Sequence, residues 1–233
     1  MKKRIVAMLA ALIMLCGILP AYAAGGIGTT DETWYVVSHS GDYRVYFFAE
    51  VMNTSAEPEE INDLLFEIRD RADTTIESTS KYKLYPEILE PGQTGWLVIS
   101  QDVKDIETKS LIDHYALTIT SKRNDDEAAK LLTASAEYLK EDEDENEDVI
   151  RATVTNDGEG NAFGISAALA VRGDDGKLLY VAGTATKDIG LAEGGALLIR
   201  SEIKSDIMDA LEDAGTAIAS AEAVAYTVED LDD

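Results

Sequence analysis

The sequence predicts an all-β protein built as two tandem β-sandwich domains. Three observations favour this fold: the chain repeats itself about 100 residues apart, apolar residues alternate with period two, and turn residues recur at short intervals. The pairs that match at an offset of 103 residues are Asn53 with Asn156 and Arg69 with Arg172. One structural unit has therefore been used twice.

Residues 1–23 are predicted to be a secretory signal peptide that precedes the fold. The cations Lys2–Arg4 come before an apolar segment, Ile5–Leu19, and Ala21–Ala23 has the small-residue spacing of a cleavage site. The apolar segment is shorter than the roughly 20 residues that span a bilayer. We therefore expect a secreted protein, located outside the cell or in its envelope, without stable membrane insertion.

Cysteine and charge content exclude several classes of protein. The single cysteine, Cys16, lies inside the apolar segment, so the mature chain can form neither a disulfide nor a thiolate metal site. The formal net charge is −25; removal of Lys2–Arg4 leaves 17 basic against 45 acidic residues, a charge of −28. This negative charge disfavours nucleic acid and anionic membranes as partners, because both present negatively charged phosphates.

The first sandwich is predicted to span residues 27–122. Tyr43–Met52 gives the longest strand signal, with aromatic and β-branched residues on both faces. Asn53 is expected to fix a turn by bonding the backbone two residues on, and Pro86 should confine its strand to an edge. The predicted strands are 33–38, 43–52, 61–71, 74–78, 82–89, 96–101 and 114–121, with a helical turn within 102–113.

The second sandwich is predicted to span residues 128–230. The composition of 128–139 also fits a helix, but its alternation and the repeat favour a strand. Asp174–Gly176 predicts a hairpin turn, and 205–213 predicts a short helix capped by Ser205. The other predicted strands are 149–155, 165–172, 177–182, 196–201 and 217–228. Six or seven short strands per unit are typical of a Greek-key, immunoglobulin-like sandwich, here without disulfides.

The order of strand ends and turns resembles the FxLYD-type immunoglobulin-like domains of secreted and surface bacterial proteins. The matching pieces are Asn53–Ser55, Phe66–Asp70 and Leu89–Gly92 in the first unit, and Asn156–Asp157, Asp175–Tyr180 and Leu191–Gly194 in the second. The resemblance implies extracellular structural or binding modules and carries over no catalytic residue.

No catalytic motif stands out in the sequence. The two histidines, His39 and His114, are far apart, and no nucleophile elbow, zinc-binding helix or phosphate loop is present. Two acids such as Glu50 and Glu67 have the chemistry of a glycosidase pair. Among 45 acids, however, such a pair is expected by chance, and we predict a non-enzymatic protein.

The acidic segment 141–148 has two interpretations. Asp142, Asp144 and Asn146 have the spacing of the first ligands of a calcium loop, and Asp148 follows at the same interval. Glu147 stands where such a loop requires glycine. The segment is therefore either a weak Ca²⁺ site, which would make this a Ca²⁺-responsive extracellular protein, or a solvated acidic loop.

Aromatic residues are concentrated in the first unit. Its rings are predicted to include an exposed strip that binds a protein or glycan partner at the cell exterior, formed by Trp34, Tyr46, Phe48 and Trp96. The alternative is that a helix, a loop or the second unit covers these rings. The sequence thus predicts a binding or structural module of a bacterial cell envelope, with its recognition surface on the first domain.

Overall fold

The chain folds as two tandem Greek-key β-sandwiches, which confirms the predicted fold class. The computed structural model describes residues 26–124, 126, 129–140, 148–186 and 189–229. The predicted signal peptide, residues 1–23, lies outside the described residues.

The first sandwich contains eight described strands in two layers. Its strands are β1 (Ile27–His39), β2 (Asp42–Asn53), β3 (Glu59–Arg69), β4 (Thr75–Thr79), β5 (Lys83–Tyr85), β6 (Ile88–Leu89), β7 (Thr94–Val103) and β8 (His114–Arg123), with a 3-10 helix at Lys109–Leu111. We call the sheet β1-β2-β7-β5 the front sheet; in the back sheet β3 pairs with β4, β6 and β8.

The core of the first sandwich lies between these two layers. Alternate residues of β2, including Val45, Phe47 and Val51, point inward and meet Phe66 and Ile68 of β3. Phe47 and Phe66 pack with their ring centroids 5.1 Å apart. Period-two alternation therefore buries one face of β2 here and leaves its other face, with Tyr46 and Phe48 of β2, pointing away from this core.

The second sandwich repeats this plan, with a longer helix before its last strand. Its elements are β9 (Leu131–Leu139), β10 (Val149–Thr155), β11 (Phe163–Gly173), β12 (Leu178–Thr186), β13 (Ala196–Glu202), α1 (Ser205–Asp213) and β14 (Ile218–Glu229). Strands β9, β10 and β13 form its front layer, and β12, β11 and β14 form its back layer. The two layers join where the start of β9 pairs with β14 at Leu131 and Leu132.

Asn53 and Asn156 make equivalent hydrogen bonds in the two domains. Each side chain is fully buried and donates to the carbonyl oxygen of a leucine 35 or 36 residues on, Leu89 at 2.8 Å and Leu191 at 2.9 Å. Asn53 Oδ1 also accepts from the N–H of Ser55 at 2.9 Å. The asparagine therefore ties its strand end to the opposite layer, and the predicted bond two residues on is confirmed.

Several local predictions are confirmed and two are wrong. Residues 131–139 form a strand as the alternation indicated, and the predicted helix at 205–213 is present. Ser205 is not its cap, because Lys204 occupies the N-cap position and makes no side-chain capping bond. The single strand expected at 82–89 is two strands separated at Pro86: β5 joins the front sheet and β6 joins the back sheet.

Candidate functional site

The outward face of the first domain's front sheet is aromatic and is covered by the second domain. Tyr46 and Phe48 of β2 and Trp96 of β7 are only 3%, 1% and 4% exposed. All three belong to a hydrophobic cluster made mostly of second-domain residues, rather than to the core of their own sandwich. The two sandwiches therefore share one continuous apolar interface.

Strand β12 and helix α1 supply the partners of these rings. Phe48 meets Tyr180 of β12 edge-on, with centroids 5.1 Å apart. The hydroxyl of Tyr46 donates to Asp206 of α1 at 3.3 Å, and the Lys204 ammonium lies 5.1 Å from the centre of the Tyr46 ring. Burial raises the pKa of Tyr180 to about 12, so this phenol is neutral at physiological pH.

The exposed aromatic strip expected from the sequence is therefore not an open surface. Tyr46, Phe48 and Trp96 are buried between the domains, and Trp34 packs against Tyr115 in the first sandwich with centroids 5.5 Å apart. The physical reason is that a front sheet with rings on both faces has two apolar faces to bury. The second domain covers one of them, which was the alternative that the sequence left open.

A group of charged residues closes one side of this interface. Arg172 of β11, with 14% of its side chain exposed, donates to Glu222 of its own domain at 2.6 Å. It also pairs with Glu50 and with Asp31 of the first domain, the latter at 3.1 Å. Asp31 accepts a further bond from the backbone N–H of Leu178 at 2.7 Å, so it is held by both a cation and a peptide group.

Glu50 and Glu67, the two acids with the chemistry of a glycosidase pair, bind different arginines. Glu50 binds Arg172 across the domain interface, whereas Glu67 binds Arg69 in the back sheet at 2.7 Å. Hydrogen bonds from Arg69 and Thr75 lower the pKa of Glu67. The two carboxylates therefore have separate structural partners on different sheets.

On the β5 side of the interface the two domains leave a cleft of about 630 Å³. One wall comes from the first domain and the other from strands β11, β12 and β14 of the second. The residues that line it are Glu60, Ile61, Tyr82, Lys83, Leu84, Tyr85, Glu87, Gly164, Ser166, Ala185 and Tyr226. This cleft is the candidate functional site.

Tyr85 is placed at the cleft by direct contact with Gly183 on β12. A Cβ atom at Gly183 would lie 2.1 Å from both Cζ and the hydroxyl oxygen of Tyr85, so only glycine leaves room for the ring. Successive residues of β12 contact successive strands of the front sheet. Leu178 contacts β1, Tyr180 contacts β2 and Gly183 contacts β5. Strand β12 therefore crosses the front sheet and ends at the cleft.

Some polar groups of the cleft already have a partner within the described part of the protein, and at least one does not. Glu60 is paired with Lys122 at 3.0 Å and accepts from Asn124 at 2.8 Å. The hydroxyl of Tyr82 donates to the carbonyl of Ile61 at 3.0 Å. Among the described residues, Glu87 makes no ion pair or hydrogen bond through its side chain, so its carboxylate is available to a ligand.

Three tyrosines of the cleft share one electrostatic environment. Burial raises the pKa of Tyr82, Tyr85 and Tyr226, and the negative charge of Glu87 raises each of them further. Tyr226 also bonds to Ser166, which acts in the opposite direction. The three phenols are therefore protonated at physiological pH and can donate hydrogen bonds.

Sequence reasoning missed this cleft because it is assembled from segments that are far apart in the chain. Two tyrosines that flank a proline-interrupted edge strand, Tyr82 and Tyr85, were the available signal. Nothing in the sequence indicated that Ser166 and Tyr226 would face them.

The predicted calcium ligands Asp142, Asp144 and Asn146 lie outside the described residues. Asp148 is described: its carboxylate accepts from the hydroxyl of Tyr138 at 2.7 Å, and its carbonyl accepts from the N–H of Ile203 at 2.9 Å. In the described ranges, no group of three or more His, Cys, Asp or Glu residues is arranged to hold a metal ion. The calcium site stays a prediction.

A membrane-spanning helix is absent from the described part of the chain, since none of its helices is long and apolar enough. No protein-family model matches the sequence, and no curated protein is similar to it.

Two solved structures have low similarity to the chain. The N-terminal CBM22-1–CBM22-2 tandem domain of Xyn10C from Paenibacillus barcinonensis is 11% identical, with 89% of this chain and 88% of that chain covered and a TM-score of 0.19. Procruciferin, an 11S globulin from Brassica napus, is 9% identical, with 87% and 85% covered and a TM-score of 0.11. Neither similarity identifies a function.

Proposed function

We propose that the protein is a secreted, non-enzymatic binding module of a bacterial cell envelope, and that the cleft between its domains is the ligand site. The observation that carries this proposal is the cleft itself, about 630 Å³ in volume and lined by three tyrosines. Ligand sites of proteins occur preferentially at domain interfaces and combine apolar walls with a few polar groups.

The first domain supplies most of the recognition surface in this proposal. Seven of the eleven lining residues, from Glu60 to Glu87, belong to it. The second domain completes the site with Ser166, Ala185 and Tyr226. Because the walls come from both domains, the docked arrangement that buries Phe48 against Tyr180 also forms the binding site.

The setting of the protein follows from the sequence. Residues 1–23 have the features of an export signal, and the chain carries none of the common catalytic motifs. The acidic charge of the mature chain keeps it soluble and disfavours nucleic acid. We therefore place its ligand, a protein or a glycan, at the cell exterior.

The test is a sedimentation assay of the secreted form of the full chain with purified bacterial cell walls, both with their bound proteins and after these have been stripped. Ala185 of β12 is exposed and lines the cleft, so Ala185→Trp should fill the cleft without removing an interface contact. Ala196 of β13 is also exposed but lies outside the cleft, and Ala196→Trp is the matched control.

We expect the wild-type chain and Ala196→Trp to sediment with the walls. Ala185→Trp should bind at least about tenfold more weakly, a loss of about 1.4 kcal/mol. Circular dichroism establishes that both variants are folded. A wild-type chain that stays in the supernatant, or two variants that sediment equally, would overturn the proposal.

A further inference from the structure

We propose that the ligand of the inter-domain cleft is a short segment of an uncharged glycan. This inference rests on the proposed function and names the class of ligand that its site takes.

The charges that line the cleft are balanced. The carboxylate of Glu60 is already paired with the Lys122 ammonium and accepts a hydrogen bond from the Asn124 amide. That leaves one anion, Glu87, and one cation, Lys83, neither of which forms an ion pair within the described residues. A fully charged ligand would find no matching excess of opposite charge, and an anionic polymer would also be repelled by the secreted chain, in which 17 basic residues face 45 acidic ones.

The free groups suit a polyhydroxyl ligand. A hydroxyl both donates and accepts, so it can bond the Glu87 carboxylate, the Lys83 ammonium and the Tyr85 phenol in turn. Tyrosine presents an apolar ring with a polar tip. A sugar ring has the complementary pattern, with apolar C–H faces and a rim of hydroxyls. Tyr85, held over Gly183, and Tyr82, held by the Ile61 carbonyl, are fixed in place before any ligand arrives.

An extended peptide is a poorer fit to the same cleft. Peptides commonly add to a sheet by bonding the backbone of an exposed edge strand. The edge strand at the cleft, β5, has three residues and is followed by Pro86, which has no N–H to donate. Such a short edge, blunted by proline, offers few backbone groups to an added strand.

The size of the cleft sets the length of the glycan. Its volume of about 630 Å³ lies within the range of roughly 300–1,000 Å³ that holds small-molecule ligands. A disaccharide or trisaccharide segment fits this range, with the rest of the polymer outside.

The first experiment is calorimetric titration of the full secreted chain with trisaccharides that differ in charge. The uncharged probes are the trimers of N-acetylglucosamine, xylose and glucose. The glucosamine trimer is the cationic control on the same skeleton as the first probe, and the galacturonic acid trimer is the anionic one. We expect at least one uncharged trimer to bind, and both charged trimers to bind at least about tenfold more weakly.

Variants then connect binding to the cleft. Glu87→Gln removes the unpaired carboxylate charge. Tyr85→Phe removes the phenolic hydroxyl and leaves the ring over Gly183. Each should weaken binding of the uncharged trimer about five- to tenfold, the effect of one hydrogen bond. The matched controls, Glu90→Gln and Tyr43→Phe, lie outside the cleft and should leave binding unchanged.

The outcomes separate this inference from the proposed function. If cell walls bind through the cleft but no uncharged trimer binds or competes with them, the glycan inference is wrong and the proposed function stands. Tighter binding of a charged trimer, or equal losses in the control variants, would also overturn the inference. If cell walls do not sediment the wild-type chain, the proposed function itself fails.

Discussion

The outward faces of the two front sheets occupy the same place in the repeat but differ completely in chemistry. In the first domain Phe48 pairs with Val98 across the sheet, and Glu50 pairs with Trp96. In the second domain Arg151 and Thr153 occupy the positions of Phe48 and Glu50. They pair with Arg200 and with Leu198, which is 62% exposed.

The inward faces of the same strands are preserved. Phe47, Ala49 and Val51 of β2 are fully buried, and so are the residues 103 positions later. The repeat therefore retains the residues that build each sandwich and changes those that decide whether a sandwich is covered. The second domain covers the rings on the outward face of the first unit, whereas the matching face of the second unit is mostly polar.

The repeated arginine shows the same division. Arg69 binds Glu67 and Asp73 within its own sheet, while Arg172 binds Asp31 and Glu50 across the interface. Both arginines also contact the following turn, since Arg172 donates to the carbonyl of Gly176, which stands 103 residues after Asp73. The two arginines share this local role, and Arg172 also makes the contact between the domains.

Truncation of the matching outward residues should destabilise the two domains to very different extents. Phe48→Ala removes a ring that is 1% exposed and packed on Tyr180, so the free energy of unfolding should fall by about 3–5 kcal/mol. Its counterpart Arg151→Ala removes a side chain whose partner, Glu137, is exposed, and should change stability by less than about 1 kcal/mol. Urea denaturation of both variants measures the difference. Equal losses would mean that the two faces are equally covered.

The sequence predicts those features of the fold that depend on residues close together in the chain. Period-two alternation, the hairpin turn at Gly176 and the asparagine at each strand end are decided by neighbouring residues, and these predictions are confirmed. Whether Phe48 faces solvent or another domain is not decided locally, because alternation shows only that one face of a strand is apolar. The rings on the other face could equally have formed an open surface.

The cleft was even harder to predict from the sequence, because it depends on contacts between distant residues. Tyr85 reaches it only because β12 crosses the front sheet and has glycine at residue 183. That position looks like an ordinary strand residue in the sequence. Its role follows from the docking geometry, which in turn depends on β12 and α1 packing on rings more than 80 residues earlier in the chain.

A second test concerns this glycine. Gly183→Val places methyl groups where the Tyr85 ring lies, and such overpacking should cost about 1–3 kcal/mol of unfolding free energy. Ser80, which stands 103 residues earlier and is exposed, should accept the same change at a cost below about 0.5 kcal/mol. Combining Gly183→Val with Tyr85→Ala should restore part of the loss, because the colliding ring is gone. A double variant that is simply the sum of the two single losses would show that the contact does not hold the domains together.

The smallest expected effect is a difference in pH response between the two units. His114, at the start of β8, bonds to Asp73 and Asp113 at 3.2 Å each, and these bonds raise its pKa. The residue 103 positions later, Ala217, cannot titrate. A histidine whose pKa is raised on folding contributes stability below its unfolded pKa of about 6.5, and that contribution is lost as pH rises through the folded pKa. Melting temperatures of wild type and His114→Gln should therefore differ most near pH 5 and converge above neutrality. Parallel curves across this range would show that the protonated histidine does not stabilise the first domain, and that the two units respond alike.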